Sequence, residues 1–455
     1  MAEINDVIFT SDTFGNMNVW DLKSGTTLMT YKSSAINARC MDVLNNDYVL
    51  AVQKGPLILA WPINSQEKIQ HIKMLCPGEV GCFSVSPDGL YIAVSIENKL
   101  LIWQFATGKL LSTVSGHYQR ITVITWTRDG SDVITGGEDG LVCVWKLSVL
   151  ISANFMYMGI KSDEQSSQVE SRYTFSDHSI RINDLYVGSG GQRARLYTAS
   201  ADKTCKIYDL ATGTQLLSIV FDSKPCSIVV DPAENYVFVG TGDGTIKTFS
   251  LLDPPRNRDY HFTDTSNDTT FSGHTKQVNS LSISTDGTSL ISGSADESVK
   301  IWHIESKQCL RTIRCRGNVT NVIVRILPKK LQHHDFQPVT VLKNFLKRFD
   351  ENENADLMEV FTPDDLIGAD SIDYDDDDDD KNNSEVAALR EKIQKLEKIN
   401  SQLYTFAAQK ILQSDEPKVT KPAVVKKAPS NKIPLMEKPL TKSQKKRLKH
   451  KNKLK

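Results

Sequence analysis

Seven hexapeptides in the first three hundred residues share one pattern, aliphatic or β-branched residues with an aromatic in fourth place: MNVWDL, ILAWPI, LLIWQF, VCVWKL, CKIYDL, IKTFSL and VKIWHI. Their aromatics are Trp20, Trp61, Trp103, Trp145, Tyr208, Phe249 and Trp302, spaced by 41, 42, 42, 63, 41 and 53 residues. The underlying period is about 41–42, with insertions of roughly 21 and 11 residues near 151–172 and 253–270. Tight-turn signals lie between the aromatics: SPDG at 86–89, TRDG at 127–130 and STDG at 284–287. Each is flanked by short alternating runs such as SLISGS. Such a unit holds four short strands and cannot bury its faces alone, so its copies must stack on one another. That requirement makes the first three quarters of the chain all-β.

With these features the sequence resembles the WD-repeat family, over residues 1 to about 328. In that family a buried His, Ser/Thr, Asp and Trp form a hydrogen-bonded tetrad. Two repeats match in full: His117, Thr135, Asp139 and Trp145, and His274, Ser292, Asp296 and Trp302. In both, His precedes Asp by 22 residues, Ser/Thr precedes Asp by 4, and Asp precedes Trp by 6. A third set, His178, Thr198, Asp202 and Tyr208, stretches the first spacing to 24. A fourth repeat keeps only Asp243, six before Phe249, and the first three hold Phe14, Gly55 and Glu97 at the Asp position.

The ends of this region predict how a ring would close. Before Trp20 there is room for only two strands, around VIFTS and MNVWDL, so the first blade lacks its innermost strand. After VKIWHI come one outer strand, QCLRTIR, and a further apolar run at 318–327. That run is assigned as the missing inner strand, which hides the edges that would otherwise template aggregation. The fold class expected is a seven-bladed WD-repeat β-propeller over residues 1–330, one domain.

The remaining quarter reads as four segments. Residues 335–349 place Val341, Leu342, Phe345, Leu346 and Phe349 on one face of a short amphipathic docking helix beginning after Pro338. Residues 350–384 form an acidic linker, expected to be disordered; 350–380 hold 15 acidic and no basic side chains. Residues 385–412 lack Pro and Gly. There Val386, Leu389, Ile393, Leu396, Asn400, Leu403 and Ala407 recur at alternating three- and four-residue steps. That is a coiled-coil seam with an Asn at an a position, a device that specifies register and two strands, so a homodimer is expected. Residues 413–455 are expected to be a disordered basic tail.

Within the tail, Lys442, Lys445, Lys446, Arg447, Lys449, Lys451, Lys453 and Lys455 suit a nuclear or nucleolar address. They also suit contact with RNA phosphates, but no aromatics interleave with them, so base stacking is unsupported. The net charge of −1 conceals this segregation: residues 1–349 carry 34 charges of each sign, and 414–455 carry 14 basic against 3 acidic. No apolar run reaches the length of a membrane-spanning helix, and the acidic start of the chain argues against secretion. Cys40, Cys76, Cys82, Cys143, Cys205, Cys226, Cys309 and Cys315 form no CxxC pair and are expected as reduced thiols. No phosphate loop, HExxH or GxSxG is present. The tetrad histidines are read as structural, and His333-His334 has no partner at metal-ligand spacing. No catalytic residues, metal or cofactor are therefore assigned.

SGHYQRITVITW (115–126), GGEDGLVCVWKLSVL (136–150), residues 284–313 and LEKINSQLYTFAAQKI (396–411) resemble one branch of these proteins. This is the WD repeat-containing protein 18 family, the propeller subunits of Rix-type ribosome-maturation complexes. The resemblance implies a nucleolar and nucleoplasmic role in large-subunit maturation and removal of the second internal transcribed spacer. It implies as partners a helical-repeat scaffold subunit, a smaller repeat subunit, the midasin AAA ATPase and pre-large-subunit ribosomal particles. A secondary role in DNA replication licensing is also implied. Two other readings stay open, a signalling or ubiquitin-ligase adaptor and a direct RNA-binding protein. The neutral charge of the propeller region argues against the second.

Overall fold

Each of the seven hexapeptides lies in a strand that pairs antiparallel with the strand before it, which makes it the third strand of a blade. The second strands, such as Tyr48–Gln53 and Tyr91–Ile96, are buried almost end to end because neighbouring blades cover both faces. They accordingly read as continuous apolar runs with no alternation. The structure is a computed structural model that describes residues 5–346 except 34, 54, 158–169, 253–254, 256, 263–269 and 333–337. The expected linker, coiled-coil helix and basic tail lie outside the described residues.

Seven sheets follow one another around a central channel. Blade two runs outward from Ile36–Leu44 to Met74–Leu75, and blade three from Val80–Val85 to Leu110–Ser115. Blade four runs from Ile121–Trp126 to Tyr173–Phe175, and blade five from Ile182–Val187 to Thr214–Val220. Blade six runs from Pro225–Val230 to Thr270–Phe271, and blade seven from Val278–Ile283 to Cys309–Arg314. Blade one is built from both ends of the region: Val319–Ile326 is its inner strand, followed by Asp6–Asp12, Asn16–Asp21 and Thr27–Lys32. The closing pair is antiparallel, with Ile8 opposite Val324 and Thr10 opposite Val322. Ser11 Oγ meets Thr320 Oγ1 at 2.8 Å, and Asp6 accepts the Thr285 backbone N–H at 2.8 Å from blade seven. The closure expected from the sequence is the one observed.

Turn chemistry fixes the strand ends. In SPDG the Gly89 N–H donates to Ser86 O at 2.9 Å while Asp88 accepts the Leu90 N–H at 3.0 Å. Gly89 has φ +70°, a left-handed conformation that favours glycine, and its missing Cβ leaves room for the Asn45 amide.

Both insertions carry secondary structure among their described residues. Leu147–Tyr157 is a helix lying against Leu110–Ser115, with Leu150 buried beside the blade four core. It has no polar stripe, so no helical period announces it. From the second insertion, Asp259–His261 adds parallel to Thr214–Val220 as a fifth strand on blade five.

One expectation is corrected. Residues 338–346, the described part of the expected docking helix, contain no helix and run as an extended strap along blades two and three. Their backbone bonds go to the propeller instead of to one another. Lys343, Phe345 and Leu346 donate N–H groups to the carbonyls of Phe105, Lys73 and Gly108 at 3.2, 3.3 and 2.8 Å. Leu342 and Phe345 are buried in the largest apolar cluster among the described residues, and Phe345 stacks on Trp103 at 5.0 Å and 7°. The apolar face was real, but this propeller already satisfies it.

Candidate functional site

The three tetrads sit where the outer strand of one blade passes into the inner strand of the next. His117 and His274 enter blades four and seven, and His178 enters blade five. In blade seven, His274 Nδ1 lies 2.8 Å from Asp296, its Nε2 lies 2.7 Å from Ser292 Oγ, and Trp302 Nε1–H donates to that oxygen at 2.8 Å. In blade four, His117 is 3.2 Å from both Asp139 oxygens and 2.8 Å from Thr135, to which Trp145 donates at 3.1 Å. Asp139 and Asp296 also accept the N–H groups of Tyr118 and Thr275, the residues after the histidines. Each network thus ties the loop that enters a blade to that blade's second and third strands, and its buried polar groups are partnered.

The same geometry holds different charge states. His274 is pushed down by burial, which outweighs the pull of Asp296. At neutral pH it is a neutral ring. His117 feels the same burial, but Asp139 and the Cys143 sulfur outweigh it and hold the imidazole up to about 9. It is an imidazolium at neutral pH. Asp139, Asp202 and Asp296 are lowered despite burial, by hydrogen bonds from their histidines and neighbouring hydroxyl or backbone N–H groups.

Blade five completes only part of its set. His178 bonds Asp202 at 2.9 Å and Thr198 at 2.7 Å. Tyr208 cannot place a ring N–H where tryptophan does. Thr198 instead donates to Lys206 O at 3.2 Å, and Tyr208 stacks on Phe175 at 4.2 Å.

Sequence reasoning missed a partial network in blade one. Trp20 Nε1 donates to Thr10 Oγ1 at 2.9 Å, and the signal was present, since the ten-residue spacing equals Thr135 to Trp145. Blades two and three carry Ala51 and Ala93 at that spacing. Their indoles turn elsewhere: Trp61 donates to Lys32 O at 3.2 Å, and Trp103 donates to Leu346 O of the strap at 3.2 Å.

Two further features lie on the channel and one face. Arg39 projects across the channel to Asp184 of blade five, and its backbone N–H donates to Asn321 at 2.6 Å. Where the closing strand leaves the ring, residues 325–330 and Val339 face the first hairpin turns of blades two, three and four across a cleft of about 1090 Å³. Asp47, at its edge, is bonded by Lys330 and by the N–H groups of Val339 and Thr340 at 2.8 and 2.9 Å. Among the described residues, no three His, Cys, Asp or Glu side chains converge as a metal site would require.

Fold and networks together define a seven-bladed WD-repeat propeller. The WD domain, G-beta repeat family matches residues 108–146, 169–209 and 266–303, which carry the three histidine-containing networks. The WD repeat-containing protein 18 of Rattus norvegicus is 38% identical over 74% of this chain and 76% of its own length. The chain belongs to the WD repeat-containing protein 18 family. The pre-rRNA-processing protein crb3/ipi3 of Schizosaccharomyces pombe is 29% identical over 66% of this chain and 71% of its own length. Among solved structures, the computationally designed Ika8 protein matches at TM-score 0.50 and 20% identity, covering 69% of this chain and 86% of its own; this shows the fold alone.

Proposed function

We propose that the chain is a non-catalytic binding platform acting in pre-rRNA processing and large ribosomal subunit maturation. The observation that carries this reading is its kinship over 74% of the chain with one family and over 66% with a relative named for pre-rRNA processing. The histidines support the non-catalytic part. The ring nitrogens of His117, His178 and His274 are bonded inside the blades, so these side chains are committed to holding strands together.

In the finer reading, the helical-repeat scaffold and smaller repeat subunits of a Rix-type complex hold the propeller, and midasin is recruited to the same particles. The seam from Val386 to Ala407 pairs two copies, and the lysine cluster from Lys442 to Lys455 supplies a nuclear address. The test is immunoprecipitation of the tagged full chain from nuclear extract, with mass spectrometry, and blotting of pre-rRNA after depletion. Co-purification of ribosome-maturation subunits, with accumulation of precursors retaining the second internal transcribed spacer, is expected. Recovery of ubiquitin-ligase subunits with unchanged precursors would overturn the reading.

A further inference from the structure

We propose that the cleft beside the exit of the closing strand is a docking site for an extended acidic segment of a partner protein, anchored by apolar side chains.

Size comes first. At about 1090 Å³ the cleft exceeds the roughly 300–1,000 Å³ typical of small-molecule sites. It is open along its length, walled on one side by hairpin turns of three blades and on the other by residues 325–330. A stretch of peptide fits such a shape.

Charge comes second. Arg128, Arg325 and Lys329 all line the cleft with exposed side chains. Its two carboxylates are already engaged. Asp47 is held by Lys330 and two backbone N–H groups, and Asp42 accepts the N–H groups of Val43 and Val85 at 2.8 and 2.9 Å. Arg325 lies 3.7 Å from Asp42 but remains half exposed. The surplus facing solvent is therefore positive, and a carboxylate-rich ligand complements it.

The apolar surface decides between protein and nucleic acid. Ile326 and Val339 stand 52% and 83% exposed, well placed to receive aliphatic or aromatic anchors. A single-stranded nucleic acid would need open aromatic faces on which to stack. The aromatic ring lining this cleft, Trp126, is buried and donates its N–H to Ser84 O at 3.2 Å. The occupant is a protein segment.

The test uses the full chain and a fluorescein-labelled peptide of alternating Asp and Glu carrying one Leu and one Phe, read by fluorescence anisotropy. The combined Arg128→Glu and Lys329→Glu variant should weaken binding by about tenfold or more at unchanged Tm. If that variant melts early, Arg128→Gln with Lys329→Gln carries the same test. A poly-Asp peptide without the anchors should bind at least about fivefold more weakly than the anchored one. Retained binding in both charge variants, or no binding at all, overturns the proposal. Displacement by a uridine-rich RNA at equal potency makes the site a phosphate-binding one and overturns it too. A full chain with Asp375 to Asp380 changed to Asn that binds the peptide more tightly than wild type identifies the chain's own acidic run as occupant, and the partner reading falls.

Discussion

Arg39 of blade two and Asp184 of blade five form an ion pair across the central channel, joining inner strands three blades apart in the ring. Arg39 reaches it from a left-handed backbone conformation, φ +59°, in an irregular stretch of its strand. Asp184 in turn accepts the Ile228 N–H of blade six at 2.9 Å. One carboxylate therefore couples blades two, five and six.

A double-mutant cycle with Arg39→Ala and Asp184→Asn measures that link. We expect a coupling of about 0.5–3 kcal/mol in urea unfolding, since the pair is largely desolvated and shares partners. Strictly additive losses would mean that the strut contributes nothing beyond its separate hydrogen bonds.

The blade networks should be structural. Asp296→Ala or Asp139→Ala leaves a buried imidazole without its acceptor and should lower stability by about 1–3 kcal/mol. If either variant melts like wild type while partner binding is lost, these residues serve recognition and their structural role is wrong.

The two histidines should respond to pH with opposite signs. His117 has a folded value above its ordinary one, so its stabilisation is full below about 6.5 and fades as pH rises toward about 9. His274 has a lowered folded value, so its contribution is full above about 6.5 and is lost as pH falls through that lowered value. Thermal melts of His117→Gln and His274→Gln at several pH values check this. The deficit of the first should shrink from pH 6.5 to 9, and that of the second should shrink as the solution is acidified. Parallel trends would refute the different charge states.

The strap should stabilise the two blades whose tryptophans lack the Ser/Thr partner. Phe345→Ala uncovers Trp103 and should cost about 1.5–3 kcal/mol. Hydrogen exchange should then rise in blades two and three more than in blades four to seven. Uniform exchange across all blades would show that the strap is not a local clamp.

If residues 385–412 pair as a parallel two-stranded coil, Asn400 meets Asn400 and Leu396 and Leu403 flank it. Replacing both leucines with Asp should abolish dimerisation of the full chain, because unpaired charges in the seam cost several kcal/mol. Analytical ultracentrifugation decides it, and a wild-type monomer across micromolar concentrations would exclude the homodimer.

Much of this protein was legible in one dimension. Blade number, the closure of blade one by residues 318–327 and the two full tetrads follow from spacing, because each repeat folds on local alternation and fixed turn chemistry. Even the Thr10–Trp20 bond was written in a ten-residue offset. What spacing cannot encode is which groups meet after the ring has closed. The apolar face of 341–346 suggested a helix, but the carbonyls of Lys73, Phe105 and Gly108 on blades two and three take its N–H groups instead. Arg39 and Asp184 lie 145 residues apart with no shared motif, and the channel alone brings them together. His117 and His274 share one spacing yet differ in charge, because a pKa is set by the surrounding low-dielectric packing and its nearest charges, which only the tertiary structure supplies.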